Sequence, residues 1–496
     1  MKLTTALYST ILPIISGALF SIGLAPFKLW PATFVSVAAW YILLSKFPQF
    51  SKRISYGYGF GFFATGISWI YFAFLTVYVP PFIAAASIFV FCLGFALLFL
   101  AQGWIYSRFF ANKMLSFISF ACLWMVFEWI RTWLFTGFPW LFAGYSMTDT
   151  YIGQLASLFG VYGLSFIVVL FAVLFSQILN VSHIKKASIL FSFAVVFVLG
   201  YFTQFIQFNE TTGSLKVAAI QSNVDQKTKW TNKITVESRE QYLNETIKLN
   251  DTDLIVWPEA ALTDSYQTNQ QVLDYIGQWA KKNQTSLIAG VPRLVDNRPR
   301  NSIQAMGNST GVYDKIHLVP FGEYMPYGDI IRKTFPFLNM NAYDYFPGDA
   351  NQTPIIVNQL KNETWIPHVI GSIICYEAAY PELVRTNAKD KEIIITVSND
   401  DWFGNSLAPH QHLQIAQMRA IENRLSVVRS TQSGITAFID PYGKITHKLE
   451  SFVSATLIGE VSLNRSMTVY SKYGHVYLMF LALLALVVIV FVRHKK

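Results

Sequence analysis

Three side chains stand out for the chemistry they could do together: Cys375, Glu259 and Lys315. A thiol is intrinsically nucleophilic but mostly protonated near neutrality. It needs a base to become thiolate, and a neighbouring cation favours that charge. A carboxylate and a lysine supply both. The ammonium would also stabilise the oxyanion of a tetrahedral intermediate, a role that contributes about 2.7–4 kcal/mol per donor in other enzymes. No Ser/His/Asp arrangement is as well placed. His317 and His368 flank the same segments, but nothing marks either as a base.

Each of the three sits where a chain segment changes character. Cys375 ends the apolar run Val369-Ile370-Gly371-Ser372-Ile373-Ile374 and precedes Tyr376-Glu377. A strand end that breaks into a polar turn places a side chain at the sheet edge, where α/β proteins usually build sites. Taken alone, a buried structural thiol is the more common explanation of Cys375, and the segments around Glu259 and Lys315 shift that balance. Glu259 closes Leu254-Ile255-Val256-Trp257-Pro258, poorly placed for plain solvation; a strand-terminating acid or helix-cap partner is the other reading. Lys315 opens Ile316-His317-Leu318-Val319-Pro320-Phe321-Gly322-Glu323-Tyr324-Met325-Pro326, whose two prolines and glycine suit a constrained loop. Cys92 and Cys122 lie inside apolar runs and read as small buried hydrophobes. Cys375 is thus the sole cysteine of the polar region, which has no internal disulfide.

The elements that must position these residues occupy about 213–470. Apolar β-type runs at Leu215–Ile220, Leu254–Trp257, Ser286–Val291, Val369–Cys375, Glu392–Ser398 and Gly434–Ile439 alternate with helical stretches at Thr235–Leu249, Gln270–Asn283 and His412–Arg424. Strands buried on both faces and interleaved with helices predict an α/β layered domain.

The remainder is of another kind. Of 496 residues, 53% are hydrophobic and only 14% charged, too little charge to cover a soluble protein of this size. Apolar runs of spanning length occur near 5–25, 29–45, 55–76, 82–106, 114–136, 152–178, 188–207 and 474–492, which predicts about eight membrane spans. Seven form an N-terminal bundle over 1–207, and 474–492 is a C-terminal helix. The first run follows Lys2 like a signal peptide, but another span follows at once without a small-residue cleavage site, so it reads as retained. The net charge of +9 does not indicate nucleic acid, because Lys46/Lys52/Arg53, Arg108/Lys113, Lys185/Lys186 and Arg493/Lys495/Lys496 form short clusters between apolar runs. With Lys2 in the cytoplasm, positive-inside logic puts all these clusters there, Lys28 being the exception. Both termini are then cytoplasmic and 208–473 extracytoplasmic, in the periplasm of an inner-membrane protein. Glu128 and Arg131, three apart in the fifth run, should face the bundle interior or each other, with a structural or lipid-guiding role.

Glu259 in Trp-Pro-Glu, Lys315 in Tyr-Asp-Lys and Cys375 in Cys-Tyr-Glu, in that order and spacing, resemble the Glu-Lys-Cys triad of the nitrilase (carbon–nitrogen hydrolase) superfamily, whose fold is an αββα sandwich. Further segments resemble the apolipoprotein N-acyltransferase family along essentially the whole chain. They are Ala25-Pro26-Phe27-Lys28-Leu29-Trp30-Pro31, Glu128-Trp129-Ile130-Arg131-Thr132-Trp133, Gly137-Phe138-Pro139-Trp140 and Gly144-Tyr145-Ser146. Within the polar domain they are Gln221-Ser222-Asn223, Gln226 to Trp230, Pro320 to Pro326 and Ser398-Asn399-Asp400-Asp401-Trp402-Phe403-Gly404.

The resemblance implies a two-step acyl transfer without cofactor or metal. Cys375 would attack the sn-1 ester of a phospholipid, typically phosphatidylethanolamine, and leave an acyl thioester. The α-amino group of the diacylglyceryl-cysteine of an apolipoprotein would then take the chain. Glu259 corresponds to the general base, Lys315 to the oxyanion stabiliser, Glu323 and Glu377 to accessory acids, and the Tyr376 N–H to the second oxyanion donor. Trp230 and Trp402 match aromatic positions around the substrates, although core packing also explains each. His410, where the family often has tryptophan, is a departure that affects substrate contacts at that edge. The implied protein is a membrane-held monomer. The segment 335–346, apolar and aromatic, could dip into the bilayer interface or be an ordinary surface loop.

Two rivals stand beside this reading. A membrane-bound amidase would use the same triad and send the thioester to water. A transporter with a regulatory domain would show paired, broken helices with midplane polar sites, of which the spans offer little beyond Glu128 and Arg131.

Overall fold

The computed structural model describes residues 6–206, 208–328, 333 and 344–491. Most of the segment expected at the interface, 335–343, lies outside these, as do Lys2 and the C-terminal Arg493, Lys495 and Lys496. The chain divides into two compact units. One comprises Met1–Ile206, Phe403–Gln414 and Tyr473–Lys496; the other comprises Gln207–Trp402 and Ile415–Lys472.

The first unit is helical. Among the described residues, three helices are long and apolar enough to cross a membrane: Pro81–Phe109 with 29 residues, Ile152–Ser176 with 25 and His183–Phe202 with 20. Pro48–Gly66 and Ile70–Thr76 form a further span if counted together, although they bend by 49° at their break. The remaining apolar runs are helical but shorter than the sequence suggests. Run 114–136 gives only Ser116–Ile130, and farther on Phe135, Thr136 and Gly137 take positive φ, which bars an α-helix from running through to 136. Leu7–Gly23 and Val476–Phe491 are likewise short; a 16-residue helix is about 24 Å long, against a hydrocarbon core of about 30 Å.

The unit is packed by aromatic rings, with Trp40 stacked on Tyr58 at 4.7 Å and Trp124 and Phe99 set edge-on to it. Helices Leu12–Leu19 and Ser51–Gly66 approach so closely that a Cβ on Gly61 would lie 2.0 Å from the Ile14 carbonyl oxygen. Small residues at such crossings let backbones touch. Glu128 and Arg131 are buried and face inward. Glu128 Oε1 accepts from Trp124 Nε1 at 2.7 Å and from the Ala143 N–H at 2.8 Å. The Arg131 guanidinium lies 5.4–5.7 Å from the rings of Phe62, Phe63 and Phe142.

The second unit is a two-sheet α/β domain. One sheet orders Ala455–Ser466, Asn209–Gln221, Leu254–Trp257, Ser286–Gly290, Ser302–Gly307 and Val312–Asp314. The other orders Ile445–Lys448, Ala437–Ile439, Val427–Thr431, Ile393–Ser398, Thr364–Ile374, Ile355–Lys361 and Ser309–Thr310. The inner strands of each run parallel. Strand periodicity explains the layers. Leu254 and Val256 join a core with Ile370, Ile374, Ile395 and Val397 of the other sheet, whereas Ile255 and Trp257 pack with Tyr242, Leu273 and Ile276 of helices Asn232–Ile247 and Gln270–Lys282. On the far side, helix Pro381–Ala388 lies against Gly371. Strands covered on both faces are apolar throughout, which is why these runs were readable.

Candidate active site

Parallel strands deliver their carboxyl ends to one edge, and the candidate residues follow those ends. Leu254–Trp257 leads through Pro258 to Glu259, Val312–Asp314 leads to Lys315, Thr364–Ile374 leads to Cys375, and Ile393–Ser398 leads to Asn399. Two ends come from each sheet, so the cluster forms where the sheets face each other.

Glu259, Lys315 and Glu323 form one buried group. Lys315 Nζ donates to Glu259 Oε1 at 3.2 Å and to Glu323 Oε1 at 2.9 Å. Asn301 Nδ2 donates to the same two oxygens, at 2.8 Å each. The outer oxygens are held by backbone: the Asn399 N–H binds Glu259 Oε2 at 2.9 Å, and the Val319 N–H binds Glu323 Oε2 at 2.8 Å. Burial opposes the charge on Lys315, but the two carboxylates outweigh it and hold the ammonium well above the usual lysine range. A charged lysine between two fixed carboxylates has no freedom to act as a base; it is built to present positive charge.

Lys315 is placed from behind by Asp314. That carboxylate accepts from Arg293, from Arg300 at 2.9 Å and from Ser302 Oγ at 2.7 Å. The Lys315 N–H donates to the Asn301 carbonyl at 2.8 Å.

Cys375 sits at the junction of its strand with the short helical turn Cys375–Ala379, in the left-handed region at φ 52°. A non-glycine residue held there is strained and is kept by its surroundings. Glu377 does much of that holding. It accepts the Ile374 N–H at 2.8 Å, the Ile316 N–H at 2.7 Å and the His317 N–H at 3.1 Å, as well as the Tyr313 hydroxyl. The strand end before Cys375 is thereby tied to the loop after Lys315. Burial raises Glu377 to about 7, against the pull of these donors. Burial also pushes the Cys375 thiol well above its ordinary value, and Glu259 adds to the rise; Lys315 and the Asn399 backbone amide pull the other way. The resting thiol is therefore protonated, and a nucleophile forms only when a base takes that proton.

The remaining sequence candidates fall into two groups. Tyr376 is half-buried, its ring edge-on to Tyr380 at 5.3 Å. Trp402 is half-buried in the turn Asp400–Phe403. Trp230 is 52% exposed, so core packing does not explain it. His410 lies in the first turn of helix Ala408–Asn423. Neither histidine flanking the motifs sits in the cluster as a base. The His317 ring packs on Tyr380 at 3.8 Å, and His368 pairs with Glu392 at 3.0 Å, seven residues back along the strand from Cys375. Asn301 and Asn399 hold Glu259; Asn301 is not among the sequence candidates, and Asn399 appears there only within the Ser398–Gly404 segment. Asn399 carries the same strand-end signal as Glu259, whereas nothing local distinguishes Asn301 from any polar residue between two short strands.

Both units of the chain resemble known proteins. Residues 216–469 match the family model described as carbon-nitrogen hydrolase, and residues 16–174 match the apolipoprotein N-acyltransferase N-terminal domain. Apolipoprotein N-acyltransferase of Pseudomonas aeruginosa is 35% identical over 480 residues, 93% of this chain and 92% of that one. The Coxiella burnetii protein of the same name is 34% identical over 471 residues, 91% of this chain and 94% of that one. Among solved structures, a carbon-nitrogen hydrolase from Helicobacter pylori is 19% identical with a TM-score of 0.38, covering 54% of this chain and 94% of that one. Family model and relatives together span both units, and the chain belongs to the apolipoprotein N-acyltransferase family.

Proposed function

We propose that the chain moves an acyl chain from a phospholipid to the N-terminus of an apolipoprotein through a thioester on Cys375. The observation that carries this reading is the buried Glu259–Lys315–Glu323 group, fixed by Asn301 and charge-coupled to Cys375.

The first half runs from thiol to thioester. Glu259 takes the Cys375 proton as sulfur attacks the ester carbonyl of the donor, phosphatidylethanolamine in the simplest case. The oxyanion that forms meets Lys315 and the Tyr376 N–H, donors that need not reorganise when charge develops. The carbon–oxygen bond then breaks, and the departing glycerol oxygen takes the proton from Glu259 to leave as lysophospholipid. In the second half the α-amino group of the diacylglyceryl-cysteine attacks the thioester and loses its proton to Glu259. The amide forms, and the sulfur leaves as thiolate and recovers that proton. Each half returns Glu259 to its starting state.

Glu323 and Glu377 act as supports, the first on Lys315 and the second on the turn carrying Cys375. Trp230 and Trp402 contact the lipid substrates; the exposure of the large apolar ring of Trp230 supports this. For the membrane part we infer about eight spans, seven in 1–207 and one at 474–492, with the catalytic domain, 213–470, outside the cytoplasm and both termini inside. The bent pair and the short apolar helices fit this arrangement when each makes one crossing together with its flanking turns. The protein acts as a monomer, since both substrates reach it through the bilayer.

Purified protein incubated with phospholipid alone should gain one acyl mass on the peptide carrying Cys375, removable by hydroxylamine. The same adduct on a Cys375→Ala variant would sink the mechanism. Added diacylated lipopeptide should discharge the adduct into a triacylated product; free fatty acid as the sole product would favour hydrolysis instead.

A further inference from the structure

The turn Gln226-Lys227-Thr228-Lys229-Trp230 inverts the usual partition of residues. Lys229 is completely buried, while Trp230 two atoms of backbone away is largely exposed. Taking an ammonium out of water is costly unless it is paired. The Lys229 ammonium donates to Gln432 Oε1 at 2.5 Å, and Glu259 and Asp401 act on it through space.

Gln432 is itself part of the catalytic end of the domain. Its N–H donates to the Ser398 carbonyl at 3.1 Å, and its carbonyl accepts from the Asn223 N–H at 2.9 Å. From the same turn, Gln226 Oε1 accepts from Asn399 Nδ2 at 2.6 Å, and the Gln226 N–H binds Asp401. Asn399 is the residue whose N–H holds Glu259. Two routes, one through Gln432 and one through Gln226, therefore lead from this turn to the general base.

The charges give the connection a purpose. Glu259 and Glu323 share one ammonium, that of Lys315, which leaves one surplus negative charge beside the sulfur. A thiolate adds another, and in a buried site like charges oppose each other strongly. We propose that Lys229 is a positioning residue: it fixes Gln432, whose N–H holds the Ser398 carbonyl next to Asn399 behind Glu259, and supplies the cation that offsets the surplus carboxylate as Cys375 becomes a thiolate. This rests on the reading of Cys375 as the nucleophile. Burial draws Lys229 down to about 7, against Glu259 and Asp401, which favour its charge; Asp401 in turn feels Asp225 and Lys227. The assistance fades as pH rises through that value.

The test is single-turnover acylation of Cys375 by phosphatidylethanolamine in detergent, from pH 6 to 9. It compares the full-length protein with Lys229→Met, Lys229→Arg and the double variant Lys229→Met/Gln432→Leu. Lys229→Met should acylate about tenfold more slowly at pH 6, from the loss of one charge at an effective dielectric near 20. The gap should close toward pH 9, where lysine has discharged. Lys229→Arg should keep the rate at pH 6 and hold it at higher pH. The double variant removes both buried polar partners and should unfold no earlier than the parent, yet acylate like Lys229→Met. Wild-type rates in Lys229→Met and the double variant would overturn the proposal. So would a loss of equal size at every pH, which marks a purely structural role. Absence of any adduct on wild-type Cys375 would overturn the thioester reading and this inference with it.

Discussion

Replacing Asn301 by alanine removes two hydrogen bonds at once, because its single Nδ2 reaches Glu259 Oε1 and Glu323 Oε1, each at 2.8 Å. Hydrogen bonds to charged groups contribute about 1.5–3 kcal/mol each. Lys315 still bridges the same oxygens at 3.2 and 2.9 Å, so the carboxylates do not separate fully and the loss is nearer one bond than two. About 2 kcal/mol taken from the transition state slows acylation about 30-fold. Asn301→Asp should be worse, since it sets a third carboxylate against one ammonium; we expect at least about 100-fold. The assay is the time course of acyl adduct formation on Cys375 from phospholipid in detergent, read by intact mass, with thermal unfolding of each variant as a control for fold. Alanine and aspartate variants within threefold of wild type would refute the reasoning, because the pair would then be held by Lys315 alone.

Other outcomes follow from single contacts. Glu377 is raised from 4.5 to about 7, so the folded protein binds a proton there that the unfolded chain releases; stability is fullest below about pH 4.5 and declines as pH rises to about 7. The decline amounts to about 3 kcal/mol, and thermal unfolding in detergent across that range should show it, with Glu377→Gln flattening the curve. A Cβ on Gly290 would lie 2.4 Å from the Pro258 oxygen and 2.7 Å from Glu259 Cα, so Gly290→Ala should displace the base and cut acylation by about tenfold or more while costing about 1–3 kcal/mol of stability. Glu128→Ala leaves Arg131 buried without its carboxylate and should lower stability by about 3–5 kcal/mol, seen as earlier unfolding in detergent. Reporter fusions should find residue 230 outside the cytoplasm and Lys185 inside; the reverse would remove the inferred topology.

The α/β domain was legible because its inner strands are covered on both faces. Such strands are apolar at most positions, so Leu254–Trp257 and the start of Ile393–Ser398 stand out as apolar runs bounded by polar turns. Strand Val427–Thr431 escaped because it carries the fully buried Arg429, paired with Asp400, and reads as polar. The membrane helices were legible in kind but not in length. Hydrophobicity runs on past Ile130 without a mark, whereas the helix stops there and Phe135 and Gly137 take positive φ.

The candidate residues divide along the same line. Glu259, Lys315 and Cys375 could be named from the sequence because each follows a strand and carries the chemistry in its own side chain. Their mutual service could not, since 56 residues separate Glu259 from Lys315 and only the pairing of distant segments into one sheet, with their strands three places apart, brings them to 3.2 Å. The hydrogen bonds of Asn301, Asn399 and Lys229 belong to the tertiary structure. An amide or a buried lysine has no local signature; its role comes from which carboxylate the fold sets opposite it. The sequence by itself determined the reagents and the apolar character of their surroundings. Only packing decided that Lys315 is locked as a cation and that the Cys375 thiol is raised well above its ordinary value, because each depends on burial and on charges brought together from distant parts of the chain.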